Sequence, residues 1–118
     1  MKQFCQAFVC AFAGIKKALI KGRNLKIHLS VAFLVILLGL FLSITPSEWL
    51  ILILTMTTVI SAEIFNSAIE AVCDLLKEEN KLGYERTGFI RDASAGAVLV
   101  LALGSILIGL IIFLPYLT

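Results

Sequence analysis

Ala62-Glu63-Ile64-Phe65-Asn66-Ser67-Ala68-Ile69-Glu70-Ala71-Val72-Cys73-Asp74 closes an apolar run that begins at Trp49. Glu63, Asn66, Glu70 and Asp74 follow one another at intervals of three, four and four residues. On an α-helix that spacing gathers them into one polar stripe on an otherwise apolar rod. An ionisable side chain at membrane depth costs at least about 2.5–3.5 kcal/mol, so several on one face need a compensating role. Polar seams do join membrane helices, and Asn66 with Ser67 would suffice for that. Carboxylates make poor glue, because they repel one another unless cations or protons sit among them.

The rest of the chain fits a lipid setting. Of its 118 residues, 60% are apolar, and the mean hydropathy is +1.04. A soluble domain this small could not bury so much apolar surface. The length allows a single domain, residues 1–118. Three apolar runs, at about 27–45, 49–74 and 92–114, approach or exceed the roughly 20 residues needed to cross a bilayer. The first and second are separated by Thr45-Pro46-Ser47-Glu48, read as a tight turn with Pro46 as the breaker. The second and third are separated by the charged segment 75–92, in which Gly83 and Gly88 lead one to expect a helix end. Ahead of the spans, Phe4, Phe8, Phe12, Ile15 and Leu19 recur at helical spacing with Lys16, Lys17 and Lys21 among and after them. No small-residue cleavage site follows, so residues 3–24 read as an amphipathic surface helix and not as a secretion signal. The expected fold is therefore all-α: three transmembrane helices behind one surface helix.

Charge placement gives an orientation. All ten Lys and Arg lie before the first span or between the second and third. The positive-inside rule makes that face cytoplasmic, with the N-terminus inside, the C-terminus outside and the chain a multi-pass protein of the cell membrane. Trp49 and Tyr116 then fall at the outer boundary. Cys5, Cys10 and Cys73 form no pair or zinc-like spacing and read as free thiols. No nucleic-acid partner is expected.

Depth separates the acidic residues. About 20 residues inward from Trp49 the helix reaches the cytoplasmic boundary near Ile69. Glu70 and Asp74 stand at that boundary, with Glu63 about 10 Å deeper. Glu70 is placed to hold a metal at the wet surface, and Glu63 to take a proton from a hydroxyl arriving through the lipid.

Glu63-x-x-Asn66-Ser67-Ala68-Ile69-Glu70-x-x-x-Asp74 resembles the signature of the small prokaryotic diacylglycerol kinase family. Asp92-Ala93-Ser94-Ala95-Gly96-Ala97-Val98 is similar to a second motif of that family. Arg23-Asn24 with His28, Glu48-Trp49 and the ending from Gly109 to Pro115 resemble its Gram-positive branch, whose members phosphorylate undecaprenol. The likeness covers nearly the whole chain. It implies ATP- and Mg²⁺-dependent transfer of a γ-phosphoryl group to a lipid alcohol, by a homotrimer with sites shared between subunits. By position it makes Glu63 the general base, with Asn66 orienting the site and Glu70 a metal ligand close to ATP. Asp74, Arg91, Asp92 and Gly14 would belong to the nucleotide region. Small residues Ala93, Ala95, Gly96 and Ala97 would allow close helix approach.

Two departures stand out. Gly22 occupies the position of a family glutamate that acts as second metal ligand, so that ligand is lost, replaced by water, or supplied by Glu78 or Glu79. The segment between Asp74 and Asp92 is longer than in the family. No GxxxxGK[ST] loop is present, and phosphoryl transfer does not require one. The basic residues from Lys16 to Lys26 read first as headgroup contacts, and His28 as a boundary residue without a catalytic role. Undecaprenol is the expected acceptor, with diacylglycerol, giving phosphatidic acid, as the alternative. A transport subunit is the competing class, disfavoured because the acidic stripe does not continue across the membrane. A non-catalytic scaffold is the other, kept open by Gly22.

Overall fold

The computed structural model describes residues 1–79, 81 and 83–118, with the side chain of Tyr84 outside the description. Its regular structure is entirely helical: α1 (Lys2–Lys21), α2 (Arg23–Leu42), α3 (Pro46–Glu79) and α4 (Tyr84–Leu117). All four are long and apolar enough to cross a membrane, with α1 the least apolar. The accessible surface is 8827 Å², against about 6300 Å² for a compact soluble monomer of 12.9 kDa. The excess is apolar. Phe33, Leu34, Phe41, Leu54, Phe65 and Ile111 all point outward, as lipid solvent permits and water does not.

α3 and α4 form a long antiparallel hairpin on which α2 and α1 pack less extensively. At 34 residues, each spans about 51 Å and so outruns a hydrocarbon core of about 30 Å. One end of the hairpin is a packed apolar cluster of Ile44, Leu52, Ile112 and Phe113, with Trp49 and Tyr116 against it. At the other end Cys73 is buried against the carbonyl of Thr87, and Asp74 pairs with Arg91.

Two joints set the path of the chain. Gly22 is extended, at φ −93° and ψ 109°, and it divides α1 from α2. Arg23 and Asn24 thus open α2 instead of closing the surface helix. The second joint corrects the reading of Pro46. Ser43 closes α2 in the left-handed region at φ 53°, and the Ile44 N–H donates back to the Gly39 carbonyl. Pro46 then begins α3, where its missing N–H and fixed φ are no handicap. Thr45 and Glu48 cap that start reciprocally. The Glu48 N–H donates to Thr45 Oγ1 at 3.2 Å and the Thr45 N–H to Glu48 Oε2 at 2.9 Å. With Ile44 packed beside Trp49, this is a capping box with a hydrophobic staple. The expected helix end within 75–92 falls at Glu79, where α3 stops; α4 starts at Tyr84, so Gly88 lies inside a helix and not at its end.

Gly39 is buried under Trp49. A Cβ there would stand 2.9 Å from the Trp49 ring and 3.2 Å from Ile44 Cδ1. Gly39→Val should overpack this end and destabilise the chain by about 1–3 kcal/mol, read as a lower midpoint of thermal unfolding in detergent.

Tyr116 donates to Glu48 Oε2 at 2.6 Å, tying the end of α4 to the start of α3. The Tyr116 hydroxyl, and after it the Thr45 N–H, hold the Glu48 carboxyl below its ordinary 4.5. The same bond raises the Tyr116 phenol. A lowered folded value means the clasp stabilises fully above pH 4.5 and fades as pH falls through the folded value. Tyr116→Phe should lower the melting temperature at neutral pH and leave a shallower acid decline than the native chain shows.

Candidate functional site

The polar stripe of α3 faces the other helices, and burial grades along it. Glu63 and Asn66 are each 3% exposed, whereas Glu70 is half-buried and Asp74 exposed. An acidic side chain buried this deeply is rare without a partner. The partner of Glu63 comes from α2: His28 Nε2 stands 3.8 Å from Glu63 Oε2. Asn24 and His28 are four residues apart and so share one face of α2. Together with Glu63 and Asn66 they line a cleft of about 270 Å³, whose α4 wall includes Ala95, Val98 and Ala102. The two alanines keep that wall shallow, leaving room above the carboxylate.

Asn66 links the deep and shallow halves. Its Nδ2 donates to Glu70 Oε1 at 3.2 Å, one helical turn away. Its Oδ1 is buried with no hydrogen-bond partner among the described residues. Such an orphan costs about 1–3 kcal/mol and is uncommon in a settled fold. Here it lies in a cleft-lining side chain whose other end steadies Glu70. Ser67 is tied down within α3, its Oγ donating to the Glu63 carbonyl at 3.1 Å.

Asp74 lies one turn beyond Glu70 and accepts a hydrogen bond from Arg91 of α4. That bond raises the Arg91 guanidinium further above its ordinary value. Asp92 is exposed on the following residue of α4. These groups lie beyond the cleft, toward the end where α3 and α4 are joined. Gly14 is not brought to them: it sits on exposed α1, and a Cβ there would meet nothing within 4 Å. Gly22, by contrast, stands over the stripe. A Cβ on it would lie 3.7 Å from Ser67 Oγ, and 2.8 Å from the Ala18 carbonyl oxygen. Position 22 therefore abuts α3 one turn from Glu70. Glu78 and Glu79 are exposed on the last turn of α3, roughly 12 Å farther along the axis than Glu70.

His28 is the residue whose place the sequence reading missed. The signal was present in Asn24-x-x-x-His28, but only the packing of α2 on α3 sets that face against Glu63. His28 also lines a second cavity, an apolar groove of about 230 Å³ between α2, α3 and α4.

The sequence model of the family described as prokaryotic diacylglycerol kinase matches residues 9–113. An undecaprenol kinase of Bacillus subtilis is 35% identical over 115 residues, 98% of this chain and 91% of that protein. A diacylglycerol kinase of Synechocystis is 32% identical over 109 residues, covering 92% of this chain and 61% of that longer protein. The buried acidic cleft on α3 lies within the matched residues, and the chain belongs to the prokaryotic diacylglycerol kinase family.

Proposed function

We propose that the chain is an ATP- and Mg²⁺-dependent lipid kinase that phosphorylates a membrane alcohol, with undecaprenol as its acceptor. The observation that carries this reading is the graded stripe on α3. A carboxylate buried to 3% exposure at Glu63 shares its helix face with a half-buried carboxylate at Glu70, which accepts a hydrogen bond from Asn66 between them. The deep group suits a substrate that stays in the bilayer, and the shallow one a substrate that stays in water. Glu63 is the general base that takes the proton of the lipid hydroxyl as its oxygen attacks the γ-phosphorus. The β–γ bridging bond breaks, and ADP leaves with the electron pair. Asn66 orients Glu70. Asp74, Arg91 and Asp92 serve the nucleotide, and Gly14, which stands apart from them within one chain, reaches it from a neighbouring copy of the homotrimer.

The donor set fits a magnesium ion. Mg²⁺ is commonly held by one or two carboxylates together with waters and substrate phosphates. Glu70 would supply the carboxylate, and the orphan Oδ1 of Asn66 marks unspent acceptor capacity beside it. No group of three or more acidic, histidine or cysteine ligands occurs among the described residues, consistent with an ion shared with nucleotide and not caged by protein. Bound there, the ion would neutralise phosphate charge. Gly22 contributes no ligand.

In the membrane, α1 lies on the surface, and the chain crosses at about 27–45, 49–74 and 92–114 within a single domain. The basic face is cytoplasmic, and the C-terminus is outside the cell membrane. Three copies assemble as a homotrimer, for which the small residues of α4 offer close approach. The name of the Bacillus subtilis relative favours undecaprenol, and that of the Synechocystis relative supports diacylglycerol as the second acceptor.

Purified chain in native-like bilayers with γ-labelled ATP, Mg²⁺ and a panel of lipid alcohols should transfer label to lipid, fastest to undecaprenol. Glu63→Gln and Glu70→Gln should each lower the rate by at least about 100-fold. Absence of label from every acceptor would contradict the kinase reading, and faster labelling of diacylglycerol would reverse the choice of lipid.

A further inference from the structure

His28 is the only residue that lines both cavities among the described residues. On one side lies the polar cleft of Glu63 and Asn66. On the other lies the apolar groove, walled by Val31 and Val35 of α2, Met56 and Val59 of α3, and Ile106 and Gly109 of α4. From His28 the groove follows α2 to Leu38, about 15 Å along the axis. A molecule with a long apolar chain and a single polar end would change environment at this side chain.

The spacing at His28 is specific. Its Nε2 is 3.8 Å from Glu63 Oε2, beyond a direct hydrogen bond. The imidazole side chain keeps 23% of its surface and the carboxylate 4%, so neither group is fully sealed by the other. A hydroxyl oxygen about 2.7–2.9 Å from both atoms closes the triangle with them. It could then accept from an imidazole N–H while its own proton points at the carboxylate.

We propose that His28 is the residue that orients the acceptor. Its Nε2–H donates to the hydroxyl oxygen of a single-chain lipid alcohol, Glu63 takes the hydroxyl proton, and the apolar groove beside His28 holds the chain. This rests on the reading of Glu63 as general base. His28 donates without giving up its proton. The hydroxyl oxygen bonds to the γ-phosphorus, its proton goes to Glu63, and the ADP oxygen keeps the electrons of the broken bond. The arrangement favours an alcohol whose hydroxyl ends one slender chain, because the groove reaches the base at a single point.

The test is steady-state kinetics in bilayers with undecaprenol and with a short isoprenoid alcohol, taking kcat and both KM values for each variant. His28→Leu should lower kcat/KM for the lipid by about 100-fold, the scale of lost positioning, and leave the KM for ATP unchanged. His28→Gln, which keeps an N–H donor, should recover to within about 10-fold of the native chain. Gly109→Leu adds a side chain where a Cβ meets nothing within 4 Å. It should raise the KM for undecaprenol more than for the short alcohol. Equal losses in His28→Leu and His28→Gln, with the KM for ATP rising in step, would mean a merely structural contact and overturn the proposal. So would a fully active His28→Leu. Glu63→Gln measured alongside separates the two claims: if it remains active, the base assignment itself fails. If it is inactive while His28→Leu is unimpaired, only the role of His28 falls.

Discussion

A carboxylate held at 3% exposure among membrane helices is the feature to which the rest of the molecule is fitted. Isolated in lipid, Glu63 would be among the most costly side chains in the chain. The fold answers by surrounding it with the polar groups it has at that depth. α2 brings Asn24 and His28, α3 contributes Asn66 one turn on, and α4 supplies alanines that leave space. The apolar cluster of Ile44, Leu52, Ile112 and Phe113 lies toward the opposite end. The apolar groove opens beside that cluster and shares Leu52 and Phe113 with it.

The capping box, the Ile44–Trp49 staple and the Tyr116–Glu48 clasp all act at that end. They fix the start of α3, and so the rotation of its stripe toward α2 and α4. In lipid, apolar contact alone does not drive helices together, so hydrogen bonds and close fits such as Gly39 against Trp49 carry more of the register. The α3–α4 pairing is fastened again by Asp74 and Arg91 beyond the cleft. The hairpin is held at both ends, with the polar cleft between.

Much of this was legible in the sequence because membranes impose few choices. Hydropathy alone required helices in lipid, and the spacing of Glu63, Asn66 and Glu70 required one face. The i, i+4 bond from Asn66 to Glu70 follows directly from that spacing. The family was legible in the twelve residues from Glu63 to Asp74. Less legible were the features set by contact between elements. Pro46 taken alone reads as a break, and only the Thr45–Glu48 reciprocity makes it the first residue of α3. His28 looked like a boundary residue because the α2–α3 packing that sets it beside Glu63 leaves no mark in local periodicity. Gly14 remains apart from the acidic stripe within one chain, and nothing in its local sequence says where α1 points.

The proposed division of α3 into a deep site for a proton and a shallow one for a nucleotide makes a separable demand on binding. Calorimetric titration of Mg²⁺ and a non-hydrolysable ATP analogue into the chain in bilayers tests it directly. Glu63→Gln should bind the nucleotide as tightly as the native chain, while Glu70→Gln should bind it about 10- to 100-fold more weakly. Equal loss of nucleotide affinity in both variants would contradict the division, and would make the stripe from Glu63 to Asp74 a single site.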